Sequence, residues 1–131
     1  MVRQNVVSKW LAVFLLACVA FTAQAKEVGT VYWVPFQIQT YLPVTVDDIA
    51  TMMDAPCVLT SEGAIRDIVE AAKPTQKPFN GNAVRAKISE GKATLVVDNQ
   101  GTLNMGGKML AMSEETLKEV VLKHGGCPIE K

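Results

Sequence analysis

Residues 10–21, WLAVFLLACVAF, form an almost unbroken apolar run, and the residues on either side of that run limit what the rest of the chain can become. Arg3 and Lys9 precede it with no acidic residue between them. Ala23-Gln24-Ala25 closes it with the small residues that a signal peptidase accepts. The run is about a dozen residues long, short of the ~20 needed to span a bilayer. Residues 1–25 therefore read as a cleavable secretory signal, and residues 26–131 as a single small exported domain. The short basic segment, compact apolar segment and A-Q-A site resemble Gram-negative export signals, so the expected location is the periplasm, or otherwise secretion. Leu15-Leu16-Ala17-Cys18 also has the outline of a lipobox. The residues after Cys18 remain apolar where a lipoprotein carries a polar tether, which makes lipidation at Cys18 the minor alternative.

Export changes the meaning of the cysteines. Cys18 leaves with the signal, so the mature domain keeps Cys57 and Cys127. An even pair in an oxidising compartment is expected to form one disulfide. A domain of this size has a modest core, for which a covalent closure is a common support. Loss of Arg3 and Lys9 takes the basic residues from 13 to 11 against 13 acidic ones, a net charge of −2. That balance excludes nucleic-acid binding, which needs a basic stripe against phosphate. It also excludes attachment to anionic lipid, and no stable membrane span is expected once the signal is gone.

Along the mature chain, the first signal is a period-2 pattern over residues 28–42. Tyr32, Val34, Phe36, Ile38, Thr40 and Leu42 occupy one face, and Trp33, Gln37, Gln39 and Tyr41 the other. This predicts a strand, placed at an edge or bulged at Pro35, which has no N–H to give. Thr45 is the expected cap of a two-turn helix with Val46, Ile49, Ala50 and Met53 on one side. Residues 57–60 are a short strand or an extended link. Ser61 is expected to cap a second helix, Glu62 to Lys73, whose Ala64, Ile65, Ile68, Val69 and Ala72 share a face.

Residues 74–82, with two prolines and a glycine, predict a surface loop. Beyond it the pattern is a meander: Ala83–Ser89, a turn at Glu90-Gly91-Lys92, then Ala93–Val97. A turn at 98–101, Thr102–Met105, the Gly106-Gly107 hairpin turn and Lys108–Met112 complete it. Ser113-Glu114-Glu115 opens a final helix, and Gly125 is its expected left-handed C-cap. The fold class is therefore α+β, one mainly antiparallel sheet made of the N-terminal strand and the C-terminal meander. Two to three helices pack on one of its faces.

No arrangement of residue types predicts catalysis. His124 is the single histidine, and its place at a helix end near Lys123 already suits the helix dipole. The acidic pairs Asp47/Asp48 and Glu114/Glu115 lie in first turns, where they serve the same dipole. Neither a phosphate loop nor a dinucleotide fingerprint occurs. Met52, Met53, Met105, Met109 and Met112 with His124 have the chemistry of a soft-metal site, but their spacing suits core packing. We expect no catalytic residues, no metal and no cofactor. What remains is surface: Trp33 and Tyr41 on the uncharged face of the first strand, with Lys77 and Phe79 in the 74–82 loop, are the candidate partner contacts. The expected function is a small non-enzymatic protein-binding domain of the envelope, in the manner of an immunity protein or an inhibitor of a toxin or hydrolase. The alternatives are a small-ligand or metal-binding protein, or an accessory subunit of an envelope complex.

Overall fold

A computed structural model describes residues 27–53 and 56–125 of the protein. The expected signal segment, Cys18 and Cys127 lie outside the described residues. Among the described residues seven strands form one antiparallel sheet: β1 (Gly29–Trp33), β2 (Cys57–Leu59), β3 (Lys73–Pro74), β4 (Val84–Glu90), β5 (Ala93–Asp98), β6 (Thr102–Met105) and β7 (Lys108–Ala111). Their spatial order is β2-β1-β4-β5-β6-β7-β3. Two helices, α1 (Ala64–Ala71) and α2 (Glu114–His124), complete an α+β fold. Lys73 and Pro74 form one edge strand, and a lysine and a proline both discourage further pairing there.

The period-2 pattern decides which side chains meet the helices. Val31 and Trp33 of β1, Ile88 of β4, Leu95 and Val97 of β5, and Leu103 of β6 all point to one face. There they bury Ala64, Ile65 and Ile68 of α1 and Leu117 and Val121 of α2. The opposite face carries a smaller cluster at one end, where Val34, Val44, Ile49 and Val84 pack with Tyr32, Phe79 and Val96.

That second cluster exists because the first strand stops early. The expected strand over 28–42 ends at Trp33, since Pro35 cannot donate and the next amide, Phe36 N–H, goes to Glu114 Oε2 at 3.1 Å. The chain then crosses to the other face and returns at a parallel bridge between Val44 and Ala83. The expected helix after Thr45 is a single 3-10 turn, Ile49–Met52. Thr45 does not cap it. Instead its amide and hydroxyl both donate to Asp48 Oδ2, at 3.1 and 2.9 Å.

Pairing in the meander shifts between Val84 and Ala86, leaving Arg85 as the extra residue of a β-bulge. A bulge moves every later residue to the other side. Val84 therefore faces the small cluster while Ala86 and Ile88 face the helices.

Helix α1 starts later than expected. Its cap is Gly63 at φ +98, and the side chain that accepts from its first amides is that of Glu90, at the end of β4, rather than the Ser61 hydroxyl. The Gly63 and Ile65 amides donate to Glu90 at 2.7 and 3.1 Å. At α2 the expected cap holds: Ser113 Oγ accepts from Thr116 N–H at 3.2 Å. Gly125 is extended rather than left-handed, at φ −108. It forms an antiparallel bridge with Leu59, which fixes its backbone in the β region.

Candidate functional site

The bulge and the crossing loop create the most distinctive surface of the domain. Between Pro35 and Val44 the chain turns outward, and Thr40 Oγ1 donates to the Leu42 carbonyl at 2.8 Å, tightening the tip. Tyr41 is fully exposed (108%), Leu42 nearly so (77%) and Ile38 about half (45%). Soluble domains scatter single apolar residues over their surface, but three large ones in one short loop form a patch.

Beside this loop lies an open pocket of about 450 Å³, lined by Gln39, Thr40, Tyr41, Asn82, Asn99 and Arg85 among others. Arg85 is only 4% exposed. Its Nη1 donates to the Val84 carbonyl at 3.1 Å and its Nη2 to the Ile38 carbonyl at 2.8 Å. The guanidinium thus holds the base of the loop against β4. Asp98, the buried acid on β5, is committed elsewhere. Its Oδ1 accepts from the amides of Gln100 and Thr102, both at 2.9 Å, and its Oδ2 from Asn80 N–H at 3.0 Å.

Of the four residues expected to contact a partner, Tyr41 and Lys77 are exposed. Trp33 is not on an open face. It is buried against the helix side of the sheet and stacked on Phe36 with ring centroids 5.4 Å apart. The reason is register: Val31 and Trp33, not Tyr32, face the helices. Phe79 is half-buried in the small cluster on the other side. Trp33 and Phe79 thus serve two separate cores, and the four residues do not make one patch. Ile38 and Leu42 flank Tyr41 on the exposed loop instead, and buried Arg85 lines the pocket beside it. Only a forecast of the bulge would have found Arg85, and its sequence surroundings alternate without a break.

A second constellation joins residues far apart in the chain. Ser61 Oγ lies 2.7 Å from His124 Nδ1, and Asp67 Oδ2 lies 2.7 Å from His124 Nε2. A carboxylate only accepts, so Nε2 carries the proton shared with Asp67. These are the distances of a nucleophile relay. Its surroundings point to a clasp. The Thr60 and Ser61 amides both donate to the His124 carbonyl, at 2.8 and 3.3 Å. The Gly63 and Ile65 amides, which could serve a developing oxyanion, are already taken by Glu90, whose negative charge opposes one. The trio ties the end of α2 to the start of α1. Sequence reading gave His124 only a helix-end role because its partners stand 57 and 63 residues away.

The hydrogen bond from His124, helped by the charge of nearby Arg66, holds Asp67 below its ordinary carboxylate range. A depressed carboxylate stabilises the fold above its unfolded pKa, and that contribution is lost as pH falls through the folded value. Asp67→Asn is therefore expected to flatten the acid limb of the stability curve below about pH 4. Urea titrations of both proteins from neutral pH downward would measure it, and parallel curves would remove the clasp from the account of acid stability.

The methionines have local duties. Met53 Sδ accepts from the Trp33 amide at 3.0 Å, while Met105 and Met112 pack into the helix-side core. Among the described residues no group of three or more His, Cys, Asp or Glu is arranged to hold a metal ion. No described helix is long and apolar enough to cross a membrane. Cys57 opens β2 and is not a free thiol.

No protein-family model, curated protein or solved structure matches the chain.

Proposed function

We propose that the protein is an exported, non-enzymatic protein-binding domain that engages its partner through the loop around Tyr41. The observation that carries this reading is the exposure of Ile38, Tyr41 and Leu42 together on one projecting loop. Exposed aromatic and aliphatic side chains on a loop held by a rigid sheet are suited to act as anchors in a partner's cleft. Such a shape fits an immunity protein or inhibitor that fills the mouth of a toxin or hydrolase. The near-neutral charge agrees with a protein target rather than a polyanion. The Ser61–His124–Asp67 trio serves this domain as a structural clasp.

The test is co-purification of the tagged protein from the envelope fraction of its own cells. A stoichiometric partner is expected. Tyr41→Ala with Leu42→Ala should weaken its capture by roughly 30-fold or more, the effect of losing at least one ~2 kcal/mol anchor. Because both side chains stand in solvent, the melting temperature should stay unchanged. Alanine at Trp33 or Phe79 would confuse the result, since both residues hold cores. Capture that survives the Tyr41/Leu42 change would move the interface elsewhere, and absence of any partner would sink the reading.

A further inference from the structure

We infer that the pocket beside the Tyr41 loop receives the carboxylate of an aspartate or glutamate side chain from the protein partner, with Arg85 as the receiving cation. This rests on the protein-binding reading and names the chemistry of its contact.

Arg85 is buried and has no counterion among the described residues. Arg85 is 4% exposed, and no carboxylate oxygen lies within 4.0 Å of it among the described residues. Its Nε–H is buried with no acceptor. Guanidinium stays charged in proteins, so burial carries a desolvation cost of several kcal/mol unless an anion is supplied. The two carbonyls it meets, of Val84 and Ile38, leave three of its five N–H donors unassigned. Asp98, which pairs across the ladder with Val84 beside the bulge, has its oxygens on three amides. Among the described residues the fold therefore keeps a cation beside an open pocket and gives it no anion.

The pocket also selects among anions. Gln39, Thr40, Asn82 and Asn99 line it with uncharged amide and hydroxyl groups, and Arg85 is the single cation there among the described residues. One guanidinium matches one monoanion, and a carboxylate meets its fork with two oxygens. A phosphate dianion calls for further positive charge that this pocket lacks. Leu42 and Tyr41 stand at the same pocket, so an acidic residue flanked by apolar ones fits both features. An acidic side chain on a partner's loop has that form.

The test is an NMR titration of the mature, 15N-labelled protein, reading the Arg85 Nε–Hε signal. The probes are N-acetyl-aspartate N-methylamide, N-acetylglycine, inorganic phosphate and acetamide. Arg85→Lys identifies the signal by its disappearance, and through-bond assignment replaces it if that variant does not fold. The expected result is a saturable downfield shift with the blocked aspartate, half-complete in the roughly millimolar range expected of so small a ligand. Acetamide should produce none. No shift with either carboxylate, or an equal shift with acetamide, would overturn the inference. A stronger response to phosphate would overturn the choice of carboxylate, and a response to N-acetylglycine alone the side-chain source. The titration needs no partner, so the two readings fail separately. A partner captured through Tyr41 and Leu42 with a silent Arg85 overturns this inference and spares the binding role. A clear shift with no partner anywhere keeps the carboxylate pocket and overturns a protein as its source.

Discussion

Trp33→Ala is expected to cost about 3–5 kcal/mol of folding stability, the usual range for removing a large aromatic from a core. Small domains are stable by only about 5–15 kcal/mol, so the variant should be partly unfolded under mild denaturant. Trp33 is 6% exposed, stacks on Phe36 and packs with the helix-side core. Its place at the end of β1 also anchors the start of the crossing loop, because the Trp33 amide is held by Met53. Loss of the ring would leave a void between β1 and the residues that lead into the Tyr41 loop. Trp33→Phe separates two contributions. The indole Nε1 is buried with no acceptor, so phenylalanine keeps most of the apolar packing and removes an unsatisfied donor. It should cost far less than alanine, about 1 kcal/mol. Trp33 is the sole tryptophan after residue 25, and its fluorescence reports unfolding of the wild type directly. Circular dichroism in urea would follow all three proteins. An alanine variant within about 1 kcal/mol of wild type would mean that the site collapses around the void.

What the sequence made legible was whatever rests on local periodicity and turn chemistry. Leu95, Val97 and Leu103 alternate as buried strand residues do, and Gly106 and Gly107 both take positive φ at the hairpin they were expected to form. Ser113 caps α2 because its side chain reaches an amide three residues ahead, a relation visible in one line of text. The antiparallel sheet with helices on one face follows from these pieces.

The illegible parts depend on residues that meet only after folding. Strict alternation over Ala83–Ser89 would put Val84 and Ala86 on one face, and a one-residue bulge at Arg85 separates them. The same counting gave Trp33 to solvent, since both faces of residues 28–42 carry large apolar side chains and parity alone does not say which one the helices cover. Glu90 replaced Ser61 as the cap of α1 from 27 residues away along the chain. The candidate site inherits this limit. Tyr41 was in view as an exposed aromatic, but Arg85 became a buried cation only through the bulge and the returning loop.

Breaking the disulfide of Cys57 is the second large effect expected. Leu59 and Gly125 form an antiparallel bridge, and the Thr60 amide donates to the His124 carbonyl at 2.8 Å. Cys57 is disulfide-bonded, and Cys127 is the other cysteine expected in the exported domain. The expected pairing of Cys57 with Cys127 closes a loop of about 71 residues. The chain-entropy model gives such a closure about 4 kcal/mol, by narrowing the unfolded ensemble. Cys57→Ala, or full reduction, should therefore lower stability by about that amount. The loss should centre on β2, a three-residue strand paired with β1 on one side and held on the other by the single bridge to Gly125. Intact mass of the mature protein without reductant should be lighter by two hydrogens than after reduction. Urea unfolding with and without reductant should then reveal the destabilisation. Alkylation of both thiols in the untreated folded protein would overturn the pairing and leave the Leu59–Gly125 bridge to hold that edge by hydrogen bonds alone.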